Sequence, residues 1–329
     1  MPRLTLVTGA TGLVGATLTR ALVDAGERVR ILRRESSTVD LLGPAAATVE
    51  HVFGDVTDIG SLDDAMQGVD RVYHAAAALG SGRASDRAQI QAVNVGGTAN
   101  VVNAALRAGV GRLLHTSSMA AFGRPGRTDV VLDETSEWSP TALSGPYAAS
   151  KHAAEMEVQR GIAEGLDAVI VNPALIFGVG RSGENTVRIA EMVRDGRVPA
   201  IPAGGTNVVD VRDVAEGMIR AMARGETGRR YFLGSENLSW EAILGTLARA
   251  FGVPLTTRRL PPRLALVAGA ASEALGWATR RSPAITRERA RQMSAFYRYD
   301  NTRARTELGL TFRPFTDTAA TLADAFGTR

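Results

Sequence analysis

Three glycines, Gly9, Gly12 and Gly15, follow directly on the apolar run Leu4-Thr5-Leu6-Val7 and lead into a helix-period segment that begins at Leu13. The resulting turn, Thr8-Gly9-Ala10-Thr11-Gly12-Leu13-Val14-Gly15, constrains the fold more than any other stretch of the chain. The first glycine permits a tight strand-to-helix turn, the second lets a ligand approach the backbone, and the third lets helix and strand pack closely. The helix opened there presents free N–H groups and the positive end of its dipole, a natural seat for a pyrophosphate. Gly9, Thr11, Gly12, Leu13, Val14 and Gly15 are therefore candidate dinucleotide-holding residues.

Beyond this turn, short β-branched runs alternate with helix-period segments. Strands are expected at Leu4–Val7, Arg28–Leu32, Val49–Phe53, Arg71–His74, Gly111–Thr116 and Ala168–Val171. Helices fit between them at Leu13–Ala25, Ser61–Gln67, Arg87–Ala108 and Tyr147–Glu164. This rhythm is that of an α/β protein with a doubly wound parallel sheet of Rossmann type. After Pro173 it loosens: one more strand at Val208–Val211 feeds helix Val214–Ala223, and a short strand follows at Tyr231–Leu233. The expected division is a nucleotide-binding domain over residues 1–172, to which 206–230 return, and a smaller, mostly helical substrate cap over 173–329, interleaved with it.

Composition removes several functions. The 329 residues include no cysteine, which excludes disulfide scaffolds, thiolate metal sites and cysteine nucleophiles. His51, His74, His115 and His152 show no metal spacing, so no metal site is expected. The net charge of +4 is modest and the arginines are scattered, which argues against a nucleic-acid footprint. No stretch reads as a secretory leader or a membrane span, so a cytoplasmic protein without a membrane partner is expected. The amphipathic stretch Pro261–Trp277 could lie on a membrane surface, but is read as a cap helix whose Leu264, Leu266, Val267 and Leu275 line an apolar pocket.

Of 38 basic side chains, 37 are arginine and one is lysine, Lys151. It stands four residues after Tyr147 in Tyr147-Ala148-Ala149-Ser150-Lys151, a spacing that puts both on one helix face. A nearby ammonium favours the phenolate, drawing the tyrosine toward the range of a general acid/base. The hydroxyls of Thr116, Ser117 and Ser118 end a central strand, where open α/β sheets bind their ligands. At the end of the second strand stand Arg33 and Arg34, where an acidic residue would accept the 2′-hydroxyls of NAD; guanidinium groups there suit a 2′-phosphate and favour NADP(H), with NAD(H) as the alternative.

Together these residues resemble the extended short-chain dehydrogenase/reductase family. The resemblance runs on through Gly54-Asp55-Val56, His74-Ala75-Ala76-Ala77, Asn94-Val95-Gly96-Gly97-Thr98, Asn172-Pro173 and the tail around Tyr299-Asp300-Asn301. It implies that Asp55 and Val56 contact adenine, and that Ala75, Ala76 and Ala77 line the middle of the cofactor. It also implies that Thr116 and Pro173 border the cofactor, and that Lys151 holds the nicotinamide ribose as well as tuning Tyr147. Ser118, rather than Ser117, would be the catalytic serine, since it precedes Met119-Ala120-Ala121-Phe122-Gly123, and Asn94 would support the site from its helix. Leu175 and Thr206 stand where sugar-nucleotide epimerases of the family carry Asn and Arg, so the segment Val171–Gly178 looks closer to dihydroflavonol-reductase-like enzymes. The expected activity is reduction of a small to medium ketone or aldehyde, with a homodimer built on Arg87–Ala108 and Tyr147–Glu164. A sugar epimerase or dehydratase and a non-catalytic NADP sensor are the alternatives.

Overall fold

The computed structural model describes residues 3–80, 86–126, 128–139, 141, 145–279 and 286–327. The strands are β1 (Leu4–Thr8), β2 (Arg28–Arg33), β3 (Glu50–Phe53), β4 (Arg71–His74), β5 (Arg112–Thr116), β6 (Val131–Leu132), β7 (Ala168–Pro173), β8 (Leu175–Phe177), β9 (Ile201–Pro202), β10 (Gly205–Asp210), β11 (Arg230–Leu233), β12 (Glu236–Ser239), β13 (Arg259–Leu260) and β14 (Arg298–Tyr299). Seven of them form one sheet in the order β11-β7-β5-β4-β1-β2-β3, parallel throughout. The chain runs outward from β1 to β3 and then crosses back to β4 on the other side of β1. The carboxyl ends of β1 and β4 therefore border the switch point, the crevice where such sheets bind ligands.

The pleat sorts the strand residues onto two faces. Val7, Ile31, Tyr73, Leu114, Val169 and Val171 point to a core shared with helices Leu13–Asp24 and Val211–Arg224. Their neighbours Leu6, Leu32, Val72, Leu113 and Ile170 point the other way, against helices Ile59–Ala65, Gly97–Ala108 and Pro146–Ala163. Both faces are covered, so several of the strands read as nearly continuous apolar runs, whereas the edge strand β3, Glu50-His51-Val52-Phe53, does not.

The remaining strands build smaller sheets. β8, β10 and β12 pair in the order β12-β10-β8, and Phe177, Val208, Trp240, Phe251 and Phe315 pack a third core against helices Trp240–Phe251 and Phe315–Phe326. The expected strand at 208–211 thus begins earlier, at Gly205, and pairs in this small sheet; helix Val211–Arg224 packs against Leu13–Asp24, and β11 returns to the edge of the large sheet. The single helix expected over Arg87–Ala108 is broken: an α turn at Asp86–Ile90 passes through a wider π turn at Gln91–Gly96 before Gly97–Ala108.

The cap-helix expectation for 261–277 is half met. Helix Pro262–Thr279 forms, but of the four residues expected to line a pocket Leu264, Val267 and Leu275 are 58%, 65% and 64% exposed, and Leu266 is half-buried. The helix rests instead on its neighbour Arg287–Ser294 through the small residues Ala265 and Gly269.

Candidate active site

The glycine turn closes on the backbone of the loop that follows β4. Gly9 has φ of 73°, and a Cβ there would stand 2.5 Å from the Ala76 nitrogen; on Gly15 it would stand 2.2 Å from the Gly9 carbonyl oxygen. Both positions require glycine for the protein's own packing. Gly12 differs: it is exposed, its φ is ordinary, and a Cβ there would meet only the Gly9 oxygen at 3.5 Å. The fold leaves room for a side chain at Gly12. Its absence leaves a bare helix start with no side-chain cap, beside the half-buried backbone of Leu13 and Val14, as a pyrophosphate requires. The residues present therefore fit a dinucleotide.

The other expected cofactor residues stand as follows around this turn. Ala75 donates its N–H to the Thr8 carbonyl at 3.1 Å, and Ala75, Ala76 and Ala77 are partly open at the mouth of β4. Asp55 closes a turn on Thr57, while Val56 is buried against Gly97. Pro173 ends β7 beneath the sheet's carboxyl edge. Arg33 ends β2 with its guanidinium over the Phe53 ring at 4.3 Å and its Nε donating to His51 Nδ1 at 2.9 Å; Arg34 is exposed beside it.

Helix Pro146–Ala163 starts at Gly145, with Pro146 in the first turn, where its missing N–H costs nothing. Its buried face is polar: Ser150, Lys151 and Glu155 are all at most 3% exposed. Buried polar groups need partners, and each has them. Lys151 Nζ donates to the Thr116 carbonyl at 2.7 Å, and Ser150 Oγ donates to the Tyr147 carbonyl at 2.8 Å. Glu155 accepts from Ser117 Oγ and from Asn172 Nδ2, and lies 3.5 Å from Arg230.

This network separates the two serines. Ser117 is buried and bound to Glu155, whereas Ser118 is half open, caps the short helix Met119–Phe122 through Ala120 N, and hydrogen-bonds the Tyr147 side chain. Asn94 sits in the π turn. Its Oδ1 accepts from Ala78 N at 2.7 Å, and its Nδ2 donates to the Ala78 carbonyl and to Ser150 Oγ. It ties the cofactor loop to the tyrosine helix and is a positioning residue.

Burial pushes the Tyr147 phenol above its ordinary value, offset in part by the Ser118 hydrogen bond. The ammonium is held against Thr116. Burial lowers Lys151 itself to about 8, against the opposing pull of Glu155. Burial likewise raises Glu155, with Ser117 and Arg230 offsetting part of the rise. His74 and His115 are buried with ring centres 5.3 Å apart, and burial beside the Lys151 charge lowers His74 to about 3 and His115 well below its ordinary value. Both are core residues, and no metal-holding cluster exists among the described residues.

Two contributors had escaped the sequence. Glu155 repeats the four-residue step from Tyr147 to Lys151, and that spacing was the available signal. Arg181, the one cation in the glycine-rich stretch 178–183, donates to the Thr11 carbonyl at 2.9 Å and pairs with Asp40, whose carboxyl it holds down near 2 with help from Thr38.

The switch-point crevice, the glycine turn and the serine–tyrosine–lysine group define an NAD(P)-dependent enzyme of the extended short-chain dehydrogenase/reductase type. The chain belongs to the NAD dependent epimerase/dehydratase family, whose family model matches residues 5–234. Over 325 residues it is 38% identical to sterol demethylase protein B of Methylococcus capsulatus, covering 98% of this chain and 96% of that protein. It is 36% identical over 328 residues to a putative dihydroflavonol 4-reductase of Synechocystis, covering 97% and 92%. Among solved structures, gox2253 superposes with a TM-score of 0.85 at 33% identity, over 98% of this chain and 97% of that one.

Proposed function

We propose that the protein is an NADP(H)-preferring reductase of a ketone or aldehyde. The observation that carries the reading is the hydrogen bond between the partly open Ser118 hydroxyl and the Tyr147 side chain, which brings a carbonyl-orienting hydroxyl and a phenol together. A neutral phenol at the carboxyl end of the sheet is a proton donor, the role that reduction of a carbonyl demands. Bound NADPH supplies the hydride to the carbonyl carbon. Ser118 Oγ orients the carbonyl oxygen, and Tyr147 delivers its proton to that oxygen as the alcohol forms. Lys151 maintains the local field and would hold the nicotinamide ribose. Gly9 to Gly15 would seat the pyrophosphate, and Arg33 and Arg34 would meet a 2′-phosphate.

The substrate side supports a carbonyl compound over a sugar nucleotide. Leu175 is apolar, and Thr206 is buried with its hydroxyl toward the Met119 sulfur, so neither position offers the amide or guanidinium that a sugar diphosphate uses. The name of one relative, a putative dihydroflavonol 4-reductase, agrees with this reading.

The test is loss of absorbance at 340 nm with NADPH or NADH over a panel of ketones and aldehydes. Substrate-dependent consumption with NADPH preferred is the expected result, and Tyr147→Phe should lower kcat by about 10²–10⁴-fold while cofactor affinity stays within about twofold. Unchanged turnover in that variant would sink the mechanism. Binding of cofactor without net consumption would favour an epimerase, which regenerates it.

A further inference from the structure

Helix Pro262–Thr279 carries an outer face with no counterpart elsewhere in the described residues. Leu264, Val267, Ala268, Ala271, Ala274 and Leu275 follow the three- and four-residue steps of one helix side, and all are exposed. The opposite side, Ala265, Gly269 and Gly276, is buried. Trp277, near the end of the helix, is 87% exposed, and it, Val267 and Leu275 are the three most exposed large apolar residues described. The helix itself holds only two charged residues, Arg263 and Glu273, and Glu273 is turned to Arg287 of the neighbouring helix.

The charge around this face is one-sided. Residues 258–291 hold eight arginines and two glutamates, a local excess of six positive charges in a chain whose total is +4. Six of these arginines, Arg258, Arg259, Arg263, Arg287, Arg289 and Arg291, lie in described positions and all are exposed. Arg259 pairs with Glu241 and Arg287 with Glu273, which leaves Arg258, Arg263, Arg289 and Arg291 as the remaining exposed cations described in the stretch. An exposed apolar helix face, with an open tryptophan on an adjoining side of the same helix, in so arginine-rich a stretch matches the boundary of an anionic bilayer, where apolar side chains enter the acyl region and cations meet the headgroups. No described helix is long and apolar enough to cross a membrane, so the contact is with a surface.

We propose that helix Pro262–Thr279 docks the protein on an anionic lipid surface. The proposal does not rest on the reductase reading, and its test needs no substrate. It departs from the expectation, made from sequence, of a protein without a membrane partner.

The full chain is floated with phosphatidylcholine vesicles and with vesicles containing about one-third phosphatidylglycerol. Co-flotation with the anionic vesicles, weakened by salt, is expected. The double variant Val267→Asp, Leu275→Asp should bind at least ~10-fold more weakly while keeping the wild-type circular dichroism spectrum. Trp277 emission should shift to the blue on the anionic vesicles, and that shift should vanish in Trp277→Phe. Absence of flotation, or binding unaltered by the double variant, would overturn the proposal. So would a wild-type oligomer that the double variant dissociates in lipid-free solution, because a second copy would then cover the face.

Discussion

Lys151 shows how one residue type is selected by its surroundings. Its Nζ reaches a single carbonyl in a slot where the residue is 3% exposed, between Thr116 and the carboxylate of Glu155. A compact ammonium fits such a slot; a planar five-donor guanidinium needs more acceptors and more width. In a chain that uses arginine for every other cation, Lys151→Arg should still lower kcat by about 10²-fold or more. Steady-state assay with NADPH checks this, and a variant of near wild-type activity would show that the slot accommodates either cation. Ser117 and Asn172 reach the same slot indirectly, by holding Glu155.

At the scale of elements, the glycine turn separates what the fold requires from what a ligand requires. Gly9→Ala and Gly15→Ala place a methyl group against backbone and should lower the melting temperature markedly. Gly12→Ala meets only an ordinary contact, so its melting temperature should stay close to wild type while affinity for NADPH, read by fluorescence titration, falls about 10-fold or more. Equal loss of stability in all three would remove the distinction. Strands β1 to β5 and β7 were legible to within one or two residues, several of them because burial on both faces writes them as apolar runs. Tyr147, Lys151 and Ser118 were legible because chemistry restricts the residue type and helix geometry the spacing. The π turn at 91–96 was not, since one extra residue per turn barely alters an apolar pattern. The orientation of helix Pro262–Thr279 escaped for another reason: periodicity identifies an apolar face but says nothing of what lies opposite it. Arg181 was hidden by distance, since its partner Asp40 is 141 residues away in the chain.

For the whole molecule, the buried histidine pair ties stability to pH. The folded values of His74 and His115 lie below the ordinary 6.5, so on acidification the unfolded chain takes up protons that the folded chain does not. Their contribution is complete above pH 6.5 and is lost as pH falls below it, the loss for His74 amounting to about 2 kcal/mol by pH 5. Glu155, raised by burial, acts in the opposite sense. Urea unfolding at pH 7 and pH 5 should show a loss of stability for the wild type that is smaller in His115→Leu. That ring has no hydrogen-bond partner among the described residues, so the substitution isolates the proton. An unchanged loss would mean that the ring is protonated in the folded state.

The solitary lysine also determines how the protein responds to covalent reagents. With no thiol and one side-chain amine, amine-directed acylating and reductive-alkylating chemistry finds a single side-chain target, and that target lies on the buried face of the tyrosine helix. With its ammonium held near 8, Lys151 is substantially deprotonated in mildly alkaline buffer and becomes a nucleophile whenever reagent can reach it. The rate of modification of this one amine therefore measures how often the crevice opens. A dinucleotide that seals the crevice should be visible as protection in the mass of the intact chain.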